Sequence, residues 1–105
     1  MNAPVRSELE GRVALVIGAG SIGTGIGIGR AIAICLARAG AHVVAADSNL
    51  AAAEETVALI RDEGGQGEAR SVDVLDDTSV TELVGAVEAG HGRLDILHCN
   101  VGLGK

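Results

Sequence analysis

Val13-Ala14-Leu15-Val16-Ile17-Gly18-Ala19-Gly20-Ser21-Ile22-Gly23-Thr24-Gly25-Ile26-Gly27-Ile28-Gly29-Arg30-Ala31 is the stretch on which the fold turns. Its first five residues are an uninterrupted apolar run, the pattern of a buried strand, and a glycine-rich loop follows with no gap. A strand that stops at glycine and feeds a helix gathers free backbone N–H groups and the positive end of a helix dipole at one point. That is a site for phosphate. Glycine is required there for positive φ angles and for close approach of a pyrophosphate to the backbone. The Gly-x-Gly-x-x-Gly spacing is met by Gly18, Gly20 and Gly23. A start of the helix at Gly23 would place Gly25, Gly27 and Gly29 in its first turns, each costing about 1 kcal/mol relative to alanine. The helix is therefore expected to begin near Gly27, with Ile28, Ile32, Cys35 and Ala39 forming its buried apolar face. No Gly-Lys-Ser or Gly-Lys-Thr occurs, which excludes a phosphate loop of the nucleoside-triphosphatase kind.

The chain has 105 residues, a length for one domain, and 48% of them are apolar, enough to build a core. None is aromatic, so branched aliphatics and alanine must fill that core, as in parallel strands packed on small-residue helices. The formal net charge of −6 is dispersed, which argues against nucleic acid or an anionic membrane and for a small-molecule partner. Met1 to Gly11 shows no signal-peptide pattern and no stretch reads as membrane-spanning, so a cytoplasmic location is expected. Cys35 and Cys99 have no metal-ligand spacing to each other or to a histidine; they read as reduced structural residues, and no metal site is expected. His91 and His98 read as structural too.

Beyond the loop, Gly40 stops the first helix and His42-Val43-Val44-Ala45-Ala46 forms a second strand ending at Asp47. An acidic residue at that tip can accept hydrogen bonds from the adenosine ribose hydroxyls, and its charge opposes a 2′-phosphate, so NAD is expected over NADP. The alternative is that Asp47 or Ser48 caps the next helix. That helix runs from about Leu50 to Glu63, burying Ala53, Val57 and Ile60. A third strand is expected over Glu68–Val72, followed by Asp73-Val74, where Asp73 either meets the adenine amino group or forms an Asx turn. The third helix starts near Asp76 to Ser79, Ser79-x-x-Glu82 having the capping-box form, and buries Val80, Leu83, Val84 and Val87. Leu94–Cys99 reads as a fourth strand, followed by Asn100-Val101-Gly102. Four strands alternating with three helices predict an α/β fold: a partial Rossmann-type, doubly wound parallel sheet of order 3-2-1-4. Residues 1–11 are a loose lead-in, and residues 12–105 a partial NAD(P)-binding domain ending after the fourth strand. The glycine loop, Asp47, Asp73 and Asn100 all fall at the carboxyl edge of that sheet, where such sheets bind ligands.

These landmarks resemble the N-terminal part of the short-chain dehydrogenase/reductase family. The resemblance rests on Gly27-Ile28-Gly29-Arg30-Ala31, Gly40-Ala41-His42-Val43-Val44 with Asp47, Asp73-Val74, Gly92-Arg93-Leu94-Asp95-Ile96-Leu97 and Cys99-Asn100-Val101-Gly102. It implies cofactor contacts at Gly18, Gly20, Ser21, Ile22, Gly27, Ile28, Gly29, Asp47, Asp73, Val74, Asn100, Val101 and Gly102. Ile17 stands where the family has threonine, the glycine loop is longer, and Cys99 replaces an asparagine. The family's activity is hydride transfer between a nicotinamide dinucleotide and an alcohol or carbonyl, with a Tyr-x-x-x-Lys pair and a serine for proton transfer. This chain has no tyrosine and one lysine, Lys105, so no catalytic residue is assigned. A homo-oligomer is expected only for a longer form. Two other readings are a non-catalytic nucleotide-binding or interaction module and a methyltransferase with a similar loop.

Overall fold

Every residue of β1 (Val13–Ile17) is buried, because the strand lies inside a parallel sheet with a helix layer on each side. The computed structural model describes residues 8–20 and 27–99. In chain order, β1 is followed by α1 (Ile28–Arg38), β2 (His42–Asp47), α2 (Leu50–Asp62), β3 (Gln66–Ser71), α3 (Asp77–His91) and β4 (Ile96–Cys99). The strand order is β3-β2-β1-β4 with all pairings parallel, as the alternation of elements predicted. No helix among the described residues is long and apolar enough to cross a membrane.

Period-two alternation along the strands divides the core. Ala14, Val16, Val43 and Ala45 pack with Ala33, Ala37, Val57 and Ile60, which places α1 and α2 on one face. Val13, Leu15, Ile17, Val44 and Ala46 pack with Leu83 and Val87 of α3 on the other. The α2 and α3 faces agree with the helical periodicity, although Val80 and Val84 are only partly buried.

Four local expectations are corrected. α1 begins after Gly27 as expected, but it turns a different face inward: Gly29, Arg30, Ala33 and Ala37 are buried, whereas Ile28 is 68% exposed and Cys35 is exposed. Residue size decides this face, since Gly29, Ala33 and Ala37 at i, i+4 and i+8 let the helix approach the sheet more closely than isoleucine permits. β3 starts two residues earlier than expected because its register with β2 begins at His42↔Gln66, and it ends before Val72. β4 is shorter at its start because its register with β1 begins at Ala14↔Ile96; just before it the Asp95 N–H donates to the Val13 carbonyl and the Asp95 carboxylate accepts from Arg93. Finally, α3 is capped by the Asp76 side chain, which accepts from the Thr78 N–H. Ser79 lies inside the helix and its hydroxyl accepts from the Asp73 N–H, so it forms no capping box.

Candidate functional site at the carboxyl edge of the sheet

Gly18 follows β1 with φ of 85°, a conformation that glycine adopts without strain. The N–H groups of Gly18 and Ala19 both donate to the Ala46 carbonyl, at 2.8 and 3.1 Å, so the loop begins bound to the end of β2. Gly20 meets a steric demand besides the phosphate approach that the sequence suggested. A Cβ there would lie 2.5 Å from the Ala52 Cβ and 3.1 Å from Asp47 Oδ2, so the glycine admits α2 and Asp47 to the loop backbone.

Asp47 is 6% exposed and uses both carboxylate oxygens. Oδ2 accepts from the Gly20 N–H and Oδ1 from the Asn49 N–H, each at 2.9 Å. It does not cap α2, because Asn49 does so by accepting from the Ala52 N–H. Asp47 instead fastens the glycine loop to the tip of β2. An ionised carboxylate has about four lone-pair directions, so two backbone donors leave it capacity for hydroxyl donors.

A second support escaped the sequence reading. Arg30 is buried on the face of α1 that meets α2, where Nε donates to the Thr56 hydroxyl at 2.8 Å and Nη2 to the Ala52 carbonyl at 3.1 Å. Nη2 also reaches Glu55, whose side chain is exposed. The Thr56 hydroxyl donates to the Ala19 carbonyl at 2.8 Å. A buried guanidinium thus reaches the glycine loop through one hydroxyl, and charge-assisted bonds of this kind are stronger than neutral ones. The available signal was a polar residue on each of two small-residue helix faces, Arg30 before Ala33 and Thr56 after Ala52 and Ala53.

α1 offers Gly27 as N-cap, with no side-chain hydrogen bond to the helix start and no acidic residue in its first turn. Its first N–H groups have no intrahelical acceptor, and the dipole places partial positive charge on them. Ile28 is exposed at this end and Gly29 is buried. At the ends of β2 and β3, Ser48, Ser71, Val72, Asp73 and Ser79 line an open depression of about 440 Å³. Asp73 is exposed and its Oδ1 accepts from the Leu75 N–H at 3.0 Å, an Asx turn, while Val74 packs against the α3-side core. Gly18, Gly20, Gly27, Ile28, Gly29, Asp47, Asp73 and Val74 therefore all stand at the carboxyl edge. Ser21, Ile22, Asn100, Val101 and Gly102 lie outside the described residues.

Known proteins resemble this chain in sequence and fold. A family model described as short chain dehydrogenase matches residues 12–105. The chain is 44% identical over 97 residues to the short chain dehydrogenase/reductase astE of Aspergillus oryzae, covering 91% of this chain and 35% of that protein. A metagenomic short-chain oxidoreductase solved in complex with NADP superposes with a TM-score of 0.85 at 35% identity, over 93% of this chain and 42% of the other. A 7 alpha-hydroxysteroid dehydrogenase solved with NADH and 7-oxo glycochenodeoxycholic acid gives 0.76 at 38% identity, over 85% and 33%. The chain spans about a third of the length of the curated relatives it matches.

Proposed function

The chain belongs to the short-chain dehydrogenase family, and from that premise we propose that residues 12–105 are the dinucleotide-holding part of an oxidoreductase, with NAD as the preferred cofactor. The observation that carries the reading is the pairing of an uncapped glycine start on α1 with a buried carboxylate at the tip of the neighbouring strand. The residues fit the group chemically. The helix start suits a pyrophosphate, and Asp47 keeps acceptor capacity for ribose hydroxyls. Bound NAD would supply a hydride acceptor for a carbon bearing a hydroxyl group. This chain's own residues bind and orient: Asp47, Thr56 and Arg30 hold the loop, while Asp73 and the serines of the adjoining depression line the adenosine end. No tyrosine is present among the 105 residues, so a tyrosine-lysine proton-transfer pair is not among them.

The preference for NAD rests on charge. A 2′-phosphate placed near the Asp47 carboxylate meets a like charge in a desolvated position, and such juxtapositions cost several kcal/mol. NADP in one solved relative and NADH in another mark this as a distinction that the family makes in both directions.

The test is a pair of dissociation constants, for NADH and NADPH, measured by nicotinamide fluorescence on this chain and on Asp47→Asn. NADH should bind the parent chain more tightly by about tenfold or more, a difference of ~1.4 kcal/mol, and the gap should narrow in the variant. Equal or tighter NADPH binding would overturn the preference. A folded chain that binds neither dinucleotide would overturn the wider reading, and binding of S-adenosylmethionine alone would replace it with a methyltransferase.

A further inference from the structure

At the opposite end of β2, His42, Glu68 and His91 converge although 26 and 23 residues separate them along the chain. His42 opens β2, five residue steps or about 16 Å from Asp47. Glu68 pairs with the register position of Val44, so its side chain emerges on the α3 face, and His91 is the last residue of α3. Both imidazole Nε2 atoms point at a single oxygen, Glu68 Oε1, at 3.2 and 3.1 Å. The two rings lie 4.6 Å apart, centre to centre, tilted by 44°. One ligand atom from each of the three residues falls within 4.8 Å of the others. We propose that this cluster binds a late first-row divalent cation of the zinc type, at a site separate from the dinucleotide edge.

Three features suit the cluster to a cation. The donor set of two imidazoles and one carboxylate is one that zinc, cobalt and nickel accept. Its spacing is suitable: ligands about 2.0–2.1 Å from a tetrahedral ion stand roughly 3.3 Å from one another, close to both observed Nε2–Oε1 separations. The side chains of His42, Glu68 and His91 are 27%, 29% and 22% exposed, open enough for an ion to enter and buried enough to fix the ligands. Among the described residues, Arg70 also contacts Glu68. Its Nε donates to Glu68 Oε2 at 3.1 Å, which orients the carboxylate and leaves Oε1 as the atom offered to an ion. Binding would replace the imidazole protons facing Oε1 and tie β2, the edge strand β3 and the end of α3 together. Three chain segments far apart in sequence would then be joined at one point.

Cobalt(II) is the probe for this site, because its visible d–d bands report coordination. The whole chain should bind one cobalt ion, displaceable by zinc, and zinc should raise the thermal midpoint. His42→Phe and His91→Phe keep an aromatic ring in the stack while removing the ligand nitrogen, and each should weaken binding by about tenfold or more. His98→Phe, outside the cluster, should leave it intact. The proposal is overturned if a chain with native far-UV circular dichroism gives no cobalt spectrum, or if binding survives both Phe substitutions. It is equally overturned if thiolate charge-transfer absorption shows Cys35 or Cys99 to be the ligand.

Discussion

The three helices of this domain begin in two ways. α2 and α3 each start at a side-chain cap, Asn49 accepting from the Ala52 N–H and Asp76 from the Thr78 N–H. α1 starts at Gly27 without one, and its first turn carries no acid. All three helices follow a parallel strand, so topology alone does not distinguish them. What differs is the positive end itself: at α2 and α3 a side-chain oxygen of the protein occupies it, whereas at α1 no side chain does, and an anion there is what the proposed function requires. Asp47, on the next strand, is bound by two backbone N–H groups of adjacent loops and caps no helix. The carboxamide and carboxylate caps satisfy the starts of α2 and α3, and in the proposed function the bare glycine start is the one that binds.

The largest effect should come from breaking the support beneath the bare start. Thr56→Val keeps the side-chain shape but removes the hydroxyl between Arg30 and the Ala19 carbonyl, leaving the buried Arg30 Nε donor and the Ala19 carbonyl acceptor unpaired at a cost of about 3 kcal/mol. Urea unfolding should show a lower midpoint at an unchanged slope. Adding Arg30→Met, which removes the donor left without a partner, should restore part of the loss; strict additivity of the two changes would show that they are not coupled.

Converting α1 to the pattern of its neighbours tests the contrast directly. Gly27→Asp places an acid at the helix start, where it should stabilise the free chain by a few tenths of a kcal/mol and weaken NADH binding about tenfold or more. Unchanged NADH affinity would mean that the cofactor phosphates do not use this end. The reverse changes, Asn49→Ala and Asp76→Ala, should each cost about 1 kcal/mol in thermal or urea unfolding. NADH affinity should hardly move in Asp76→Ala, whose cap stands outside the proposed contacts.

A strand start sharpens the same comparison with the smallest effect. Asp95 accepts two bonds from Arg93 and one from the Val13 N–H at the beginning of β1. The Arg93 bond first, and the Val13 bond after it, hold its carboxyl below the ordinary carboxylate value. A carboxyl lowered in the folded state contributes stability that is complete above its unfolded pKa and is lost as pH falls through the folded one. The thermal midpoint should therefore decline below about pH 4, and Asp95→Asn should make that decline shallower. An identical acid limb in the variant would show that this bond carries no linkage.

Much of this was legible in residue order. The apolar run before Gly18 and the cost of glycine inside a helix together placed the start of α1 at Gly27, and Asp47 was located by its distance from the loop. α1 shows where legibility ended. Its apolar periodicity pointed to Ile28 and Cys35, yet the buried face is Gly29, Arg30, Ala33 and Ala37, because closeness of approach to the sheet ranked small size above hydropathy. The capping box at Ser79 was a correct local pattern that lost to Asp76, once Asp73 had taken the serine hydroxyl.

The sequence by itself determined the alternation of strands and helices, the sheet order and the edge at which the glycine loop, Asp47 and Asp73 gather. Those follow from spacing between near neighbours and from the handedness of parallel crossovers. Only the tertiary structure decided which polar groups meet: Asp47 with Gly20, Arg30 with Thr56, and His42 and His91 on one oxygen of Glu68. These partners lie 23 to 27 residues apart, and strand register and helix packing, which no local spacing encodes, bring them within hydrogen-bond reach.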